Sequence, residues 1–465
     1  MTLDRISEVA RLGERLTGRL LLPGDDGYDD ARTIWNGQVD RYPAAIVECA
    51  DAEDVAAALA FAHAQQWEVS VRGGGHNYAG VAVADGALMI NLRRLDGVHV
   101  DPERRRAVVG GGATWAAVDA AAQVHGLAVT GGVVSHTGVG GLTLGGGIGW
   151  LTRMVGLTCD NVVAFDLVTA DGRRLHVTAD SHPDLFWALR GGGGNFGVVT
   201  AFEFALHPVG PLVDLAMLFW PLEAAPAVLR TADQLVRDLP DEVGAALTGL
   251  SAPPLPFVPE EHHLAPGLAV LLVSFGGDQL LTAPVERLRQ VAPPAFEMLT
   301  PIPYTDVQKL QDEHQTWGNY AYEKGLYLDE LSEEAIAAFV DQVARRQWPT
   351  SSLLLFPLGG AYARVGDGDT AFGGSRAARY MVTIDASCPS PEVLEHERAW
   401  VRGCWEALLP YAPGVGSYVN FMAEYEENRV RAAFGQEKYE RLARIKAEYD
   451  ADNVFHLNAN VKPAR

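Results

Sequence analysis

The chain has 465 residues, 48% of them hydrophobic, and its 59 acidic against 37 basic residues give a formal net charge of −22. A chain of this length is too long to form a single hydrophobic core and is expected to fold as two domains. The acidic net charge argues against a partner held through phosphate contacts, so nucleic acid is not an expected ligand. The four cysteines, Cys49, Cys159, Cys388 and Cys404, form no Cys-x-x-Cys pair and are expected to be reduced thiols.

Two stretches bear on localisation. Residues 1–22 mix charged with apolar residues and contain no continuous apolar run, so a secretory signal is not expected. Residues 120–152 carry no Asp, Glu, Lys or Arg, but their many glycines resist a stable helix and favour tight loops over a membrane span. The sequence therefore predicts a cytoplasmic protein with no membrane partner.

The first half of the chain alternates between helix and strand signals. Asp51 is placed to cap a helix that reaches Ala64, and an alternating strand at 69–71 then leads into a glycine loop. The remaining signals up to a boundary near Pro208 are strands within 80–91 and 98–109, a helix from Thr114 to Val124, a strand at 161–169, a helix opened by Pro183, and a strand at 198–206.

Beyond Pro208 the pattern changes to longer strands interleaved with amphipathic helices. The strands are predicted at 212–220, 268–275 and 380–384, and the helices at 223–238, 332–346 and 391–409. This order is typical of an antiparallel sheet with helices on one side, and a charged helix at 436–449 follows it. The predicted fold class is α+β.

Three glycine clusters, 73–75, 138–149 and 191–197, dominate the first half. Gly192, Gly194 and Gly197 satisfy the G-x-G-x-x-G fingerprint, but a helix precedes and a strand follows them, the reverse of a Rossmann site. Several loops of bare backbone N–H groups can line a pyrophosphate and a ring system, so the clusters and the adjacent His76 favour a nucleotide-like cofactor over plain turns. Adjacent histidines at 262–263 favour a surface loop, and no metal is expected.

Five segments together carry a family resemblance. They are Arg-Gly-Gly-Gly-His-Asn at 72–77 and the segments 138–151, 156–161, 184–200 and 453–460. They resemble the berberine-bridge-enzyme-like branch of the vanillyl-alcohol oxidase / p-cresol methylhydroxylase flavoproteins. The resemblance implies an FAD-binding domain in two parts, 1–208 and a returning segment 421–465, around a substrate domain at 209–420.

The resemblance also implies how FAD is held. His76 would carry the 8α-methyl group of the flavin, and it would be the only covalent link, because the cysteine that makes a second link in bicovalent members is replaced here by Val134. The implied cofactor-binding residues are Arg72, Gly73, Gly74, Gly75, His76, Asn77, Gly132, Ser135, Thr137, Gly138, Gly141, Gly146, Gly147, Gly149, Asp160, Asn161, Gly197, Val199, Asn458 and Asn460.

The catalytic candidates come from three places. Tyr320, Tyr322 and Lys324 resemble a Tyr-Trp-Lys segment of the family, with Glu323 in place of the tryptophan. Strand alternation would put these three on one face, where the ammonium group could lower a tyrosine pKa and make it a base, although packing or solvent exposure is an equal alternative. Tyr418 and Asn420 resemble residues that line the substrate side of the flavin, and His136 is placed to approach O₂ or substrate.

The expected activity is oxidation of a small alcohol, phenol, sugar or natural-product intermediate by hydride transfer to flavin N5, with O₂ as acceptor and H₂O₂ as product. A dehydrogenase with another acceptor, a flavin–oxygen monooxygenase and a flavin-binding protein without turnover stay open. An amine-oxidising relative holds its amine with a lysine and a glutamate on one strand, and the corresponding stretch 352–356 has neither. A monomer or homodimer is expected.

Overall fold

The structure, a computed structural model, describes residues 3–414 and 416–465. The strands are β1 (Arg19–Leu21), β2 (Ala45–Glu48), β3 (Val69–Arg72), β4 (Leu88–Asn91), β5 (Val98–Asp101), β6 (Arg106–Gly110), β7 (Leu127–Ala128), β8 (Val162–Val168), β9 (Arg174–Val177), β10 (Val198–Ala205), β11 (His207–Pro208), β12 (Leu212–Pro221), β13 (Val243–Ser251), β14 (Pro266–Ser274), β15 (Phe296–Pro303), β16 (Tyr320–Leu328), β17 (Ser352–Pro357) and β18 (Tyr380–Cys388). The α-helices are α1 (Leu3–Gly13), α2 (Tyr28–Arg32), α3 (Ala52–Gln65), α4 (Trp115–Gln123), α5 (Val139–Gly145), α6 (Thr152–Val155), α7 (Pro183–Leu189), α8 (Ala225–Asp238), α9 (Gln279–Val291), α10 (Tyr304–Val307), α11 (Glu333–Arg345), α12 (Ala361–Arg364), α13 (Pro391–Leu408), α14 (Glu427–Phe434) and α15 (Gln436–Tyr449).

Two larger sheets and the two-stranded pair of β7 and β11 form the N-terminal part. The first has the order β1-β2-β4-β3, in which β2, β4 and β3 are parallel, and α3 connects β2 to β3. Asp51 caps α3 as predicted, because its carboxylate accepts a hydrogen bond from the backbone N–H of Asp54 (2.9 Å). The second sheet is antiparallel with the order β5-β6-β10-β8-β9. The parallel strands deliver β3, and with it the first glycine loop, to the centre of the molecule.

A seven-stranded antiparallel sheet, with the order β15-β12-β14-β13-β17-β18-β16, occupies the middle of the chain. Alternation along each strand divides its side chains between two hydrophobic clusters. On β17, Leu353 and Leu355 pack with helices α8, α9, α11 and α13, whereas Leu354 and Phe356 face the N-terminal part. The predicted α+β class, with an antiparallel sheet covered by helices, is confirmed. Strands β13 and β15 were not predicted from the sequence. For β15 the reason is that it is an edge strand that carries prolines, which are unusual inside strands.

The C-terminal segment packs back onto the N-terminal part. Leu442 of α15 and Val461 lie in one buried cluster with Phe165 and Phe202 of the second sheet. The buried Lys446 ammonium group donates to the Phe455 carbonyl (2.7 Å) and lies 3.2 Å from the Asp450 carboxylate. This network fixes the last residues beside the glycine loops.

The glycine-rich stretch 131–149 differs from the sequence-based expectation. Tight loops were expected throughout, but residues 139–145 form α5. The helix is tolerated because its glycines allow close packing: a Cβ atom on Gly140 would lie 2.8 Å from the carbonyl oxygen of Gly111. Within the described part of the chain, no helix combines the length and apolar character that crossing a membrane requires.

Candidate active site

A cavity of about 340 Å³ lies between the glycine loops and the seven-stranded sheet, a size within the range of small-molecule sites. The N-terminal wall is mostly backbone from the three glycine clusters, and the C-terminal segment closes one side with Phe455, Leu457, Asn458 and Ala459. The sheet contributes Glu323, Ser352, Leu354, Phe356, Thr383 and Asp385. Among the residues that the structure describes, no lysine or arginine lines this cavity.

The loop that follows β3 forms the rim of the cavity. Arg72 ends the strand, and its buried guanidinium turns away from the cavity to donate to the Ala31 carbonyl (3.2 Å). Gly74 then touches the second glycine segment backbone to backbone: a Cβ atom on Gly74 would lie 2.3 Å from the Cα atom of Gly138. Only glycine permits this approach, so the two loops form one continuous wall that carries His76 at its edge.

His76 is held by two aromatic neighbours. Its ring stacks on Trp35, with 4.7 Å between ring centroids and an interplanar angle of 17°. Its Nε2 lies 2.7 Å from Nδ1 of His136, while Nδ1 of His76 has no hydrogen-bond partner among the residues described. Burial and the neighbouring His136 hold the pKa of His76 well below its ordinary value. The imidazole is therefore neutral; its Nε2 contacts His136, and its Nδ1 is free to contact a ligand in the cavity.

The predicted cofactor-binding residues divide into two groups. Those that line the cavity are Gly73, Gly74, Gly75, His76, Asn77, Gly132, Thr137, Gly138, Gly141, Gly197, Val199 and Asn458. Those that the structure does not bring to the cavity are Arg72, Ser135, Gly146, Gly147, Gly149, Asp160, Asn161 and Asn460. The second group supports the wall from behind.

The supporting contacts explain why several polar residues of this second group point away from the cavity. The Ser135 hydroxyl donates to the Asp312 carboxylate (2.6 Å), and Asp160 accepts two hydrogen bonds from the Arg376 guanidinium (2.8 Å each). The Asn161 amide donates to the Val155 and Leu157 carbonyls (2.9 and 2.8 Å). These contacts hold the loops in shape, and the side chains that make them do not line the cavity.

Tyr320, Tyr322 and Lys324 lie on one face of β16, as alternation predicted, but that face packs on helix α13. The Lys324 ammonium group lies 4.8 Å from the centroid of the Trp405 ring, and the Tyr322 hydroxyl accepts a hydrogen bond from the Arg402 guanidinium (3.2 Å). None of the three lines the cavity. The structure therefore places these three predicted catalytic residues against helix α13 and not at the cavity, since the helix layer decides which face of the strand is covered.

Tyr418 and Asn420 do line the cavity. The Tyr418 hydroxyl accepts hydrogen bonds from the backbone N–H of Gly147 and from the Asn420 amide (2.7 Å each), and burial raises the pKa of Tyr418. The phenol is therefore neutral and held in place. His136 does not line the cavity and contacts it through His76.

Two acidic side chains that the sequence reasoning missed face the cavity from the sheet. Glu323 and Asp385 stand opposite each other in the antiparallel register of β16 and β18. They are 2% and 5% exposed, respectively. Asp385 is the charged residue in the buried run Tyr-Met-Val-Thr-Ile-Asp-Ala-Ser-Cys, and a carboxyl group in the middle of a buried strand is a signal of a functional site.

The chain matches two family models. Residues 43–178 match the family described as FAD binding domain, and residues 417–462 match the family described as berberine and berberine like. An uncharacterized FAD-linked oxidoreductase of Bacillus subtilis (strain 168) is 30% identical over 97% of this chain and 98% of its own. The (R)-6-hydroxynicotine oxidase of Paenarthrobacter nicotinovorans is also 30% identical, over 96% of this chain and 97% of its own.

Solved structures show the same architecture. The glucooligosaccharide oxidase of Acremonium strictum, described with a 6-S-cysteinyl, 8α-N1-histidyl FAD, superimposes with a TM-score of 0.85 and 25% identity, covering 98% of this chain and 99% of that chain. The 6-hydroxy-D-nicotine oxidase of Arthrobacter nicotinovorans gives a TM-score of 0.84 at 26% identity, covering 97% and 98% of the two chains. With these matches along its whole length and a glycine-lined cavity with a histidine at its rim, the chain belongs to the berberine-bridge-enzyme-like family of FAD-linked oxidoreductases.

Proposed function

We propose that the protein is an oxidase whose FAD is attached covalently through His76 alone, and that it oxidises a small organic substrate with O₂ as acceptor and H₂O₂ as second product. The arrangement of His76 supports this proposal above all. Its ring is neutral and stacked on Trp35, and its Nε2 contacts His136, so that Nδ1 is the nitrogen available to a ligand in the cavity. A neutral imidazole nitrogen is the form that can act as a nucleophile.

The cavity fits a flavin nucleotide in its shape and polar groups. Cβ atoms added to Gly141 or Gly194 would meet no protein atom within 4 Å, so these positions open directly onto the space that they line. The Asn458 side-chain oxygen is buried without a hydrogen-bond partner among the described residues, although the residue lines the cavity. A bound FAD would cover these surfaces and supply that oxygen with a donor.

The single covalent link is supported by the absence of a second nucleophile. Val134 lines the cavity at the position where the sequence resemblance places a cysteine in bicovalent members. All four cysteines are buried and unpaired, and none of them lines the cavity. Burial also raises the pKa of each thiol, which disfavours the reactive thiolate.

The chain's own residues contribute binding, orientation and exclusion of water, while bound FAD supplies the acceptor for a hydride. His76 and the glycine walls hold the ring system, and Leu354, Phe356 and Phe421 give the substrate side an apolar surface. The expected alcohols, phenols, sugars and natural-product intermediates all lose a proton as well as a hydride. Since Tyr320, Tyr322 and Lys324 face helix α13, the proton acceptor must come from the groups that line the cavity.

We also propose that the chain divides at the predicted boundaries into 1–208, 209–420 and 421–465. Every strand from Leu212 to Cys388 belongs to the seven-stranded sheet, and α15 shares a buried cluster with the second sheet. Both observations support a substrate-binding part inserted between two segments of a cofactor-binding part.

Acid precipitation of the purified protein tests the covalent link. We expect the yellow colour to stay with the pellet, and peptide mass mapping to find one FAD on the peptide that contains His76. Peroxide release under air should then accompany substrate oxidation. Colour in the supernatant would exclude a covalent link, and substrate turnover without peroxide would show that another acceptor replaces O₂.

A substitution at Gly141 tests the position of the cofactor. A Cβ atom there would meet no neighbouring atom within 4 Å and would project into the cavity, so Gly141→Leu should fold but retain less than about a tenth of the wild-type FAD content. Gly403→Leu is the matched control, since Gly403 also lies in a helix with no atom within 4 Å of its Cβ position but does not line the cavity. Equal FAD content in the two variants would place the cofactor elsewhere.

A further inference from the structure

Two carboxyl groups face each other on the cavity wall with no cation beside them. Glu323 and Asp385 are directly opposed in the register of β16 and β18. Neither forms an ion pair with a lysine or arginine of the described residues, and Lys324, the neighbour of Glu323, points to the opposite face of the sheet. Buried carboxyl groups without a cation are rare outside functional sites.

The hydrogen bonds of the pair leave one oxygen unused. Asp385 accepts from the Tyr78 hydroxyl (2.9 Å) and from the Gln315 amide (2.8 Å), and Glu323 Oε1 accepts from the Thr383 hydroxyl. Glu323 Oε2 is buried and has no partner among the residues described. Since Glu323 lines the cavity, this oxygen is the natural place for a hydrogen-bond donor of a ligand.

Two like charges in a buried site cannot both be carried without a counterion, so the pair shares a proton. Burial and the neighbouring Asp385 raise the pKa of Glu323 well above its ordinary value, and burial raises the pKa of Asp385 to about 6. Near neutral pH the pair therefore carries one negative charge and one proton. Tyr78, Gln315, Thr383 and Ser352 are the other polar groups around it, and none of them is cationic.

Apolar side chains cover much of the remaining substrate side. Leu354, Phe356 and Phe421 line it together with Val134, while the Tyr418 hydroxyl, which also lines the cavity, accepts a hydrogen bond from the Asn420 amide (2.7 Å). A ligand that satisfies both parts of the wall has an apolar frame and one group that is both a hydrogen-bond donor and a cation. A neutral alcohol would donate a hydrogen bond but leave the buried charge without a counterion.

We propose that Glu323 and Asp385 are the substrate-binding and proton-accepting end of the cavity, and that the substrate is an amine that enters as an ammonium ion on an apolar frame. This inference rests on the proposed function of the same cavity. It differs from the expectation drawn from residues 352–356, because the acidic groups come from β18, which pairs with β17, and from β16 on the far side of β18: Ser352 pairs with Asp385, and Asp385 with Glu323.

The reaction balances with these groups. As the ammonium ion binds, the shared proton leaves the pair, so that both carboxylates face the cation. One N–H bond then breaks and its proton passes to the Asp385 carboxylate, which leaves a neutral amine. Bound FAD would supply the acceptor for the next change, in which the C–H bond beside nitrogen breaks, its hydrogen and both bonding electrons leave as hydride, and the nitrogen lone pair forms the C=N bond of an iminium product. O₂ takes up the two electrons and two protons as H₂O₂.

Binding to the holoenzyme without O₂ tests the substrate class directly. The probes are benzylamine with benzyl alcohol and 2-phenylethylamine with 2-phenylethanol, each pair matched in its apolar frame, and the readouts are the shift of the flavin absorption band and calorimetric titration. We expect each amine to bind at least tenfold more tightly than its alcohol at pH 7.5. Calorimetry in two buffers of different ionisation enthalpy should show release of about one proton per bound amine. If no amine binds more tightly than its alcohol, the proposal is wrong.

Three substitutions separate the roles of the two carboxyl groups. Glu323→Gln keeps one negative charge and should bind amines with similar affinity but without proton release. Asp385→Asn should weaken amine binding at least tenfold and change alcohol binding less than twofold, and the double variant should lose the preference for amines. Glu397→Gln is the control, since Glu397 is also a buried carboxyl with an unpartnered Oε2 but does not line the cavity. An equal loss in the control would overturn the assignment.

The pH dependence follows from the same pair. Because the pKa of Asp385 is raised to about 6, protonation neutralises the pair as pH falls through about 6, and amine binding should weaken by up to tenfold per pH unit below this value. The alcohol probes should show no such change, and Asp385→Asn should remove it. If the protein carries covalent flavin and produces peroxide but amine binding lacks this pH dependence, the amine inference is wrong and the proposed function stands. If the wild-type protein carries no covalent flavin, the proposed function itself is wrong.

Discussion

Replacing His76 by alanine should abolish the covalent attachment of FAD. After acid precipitation the yellow colour should appear in the supernatant, and the intact mass of the denatured protein should fall by one FAD beyond the difference between the two side chains. The physical reason is that, among the residues that the structure describes, His76 supplies the one imidazole nitrogen on the cavity wall that has no hydrogen-bond partner, and no cysteine lines that wall. Turnover should also fall by roughly tenfold or more, since the ring loses the bond that fixes its position.

The matched control for this experiment is His99→Ala. His99 lies exposed on β5, outside the cavity, and its removal should change neither the distribution of colour nor the mass of attached FAD. A His76→Ala protein that keeps covalent flavin would show that another residue is the attachment site. A variant that binds FAD reversibly at full occupancy would show that the cavity holds the cofactor largely through its glycine walls.

The elements that local rules govern were predictable from the sequence. The N-cap at Asp51 and the strand that ends at Arg72 depend on neighbouring residues, and both lie where the pattern placed them. The position of His76 after three glycines could also be read from the chain, because a close backbone approach requires glycine whatever its partner is. These features define the cofactor side of the cavity.

The substrate side was less predictable, because it depends on distant packing. Alternation places Tyr322 and Glu323 on opposite faces of β16 but does not indicate which face a helix covers. Helix α13, more than sixty residues further along the chain, covers the Tyr322 face and leaves Glu323 to the cavity. Asp160 was likewise predicted to bind FAD, but its partner is Arg376, 216 residues away. Neither outcome has a local sequence signal.

Breaking the buried Asp160–Arg376 ion pair by removing one partner should strongly destabilise the protein. Two parallel hydrogen bonds of 2.8 Å join the groups, and their side chains are only 7% and 5% exposed. Removing one partner leaves a buried charge without a counterion, which typically costs about 3–5 kcal/mol. Arg376→Met should therefore lower the thermal midpoint of the holoprotein by roughly 5–10 °C, as measured by circular dichroism.

Two comparisons test whether the lower thermal midpoint of Arg376→Met is caused by the broken ion pair. Arg364→Met removes an ion pair with Asp241 in which the side chains are 63% and 34% exposed, and such a pair is worth less than about 1 kcal/mol. The double variant Asp160→Asn, Arg376→Met should recover part of the loss, since no buried charge remains. Because Asp160 also accepts from the backbone N–H of Leu157 (2.9 Å), the pair fixes the segment 156–161 behind the flavin wall. The flavin absorption band should therefore change to that of solvent-exposed flavin at a lower temperature in Arg376→Met and not in Arg364→Met. Equal midpoints in these two variants would show that the buried pair does not stabilise the wall.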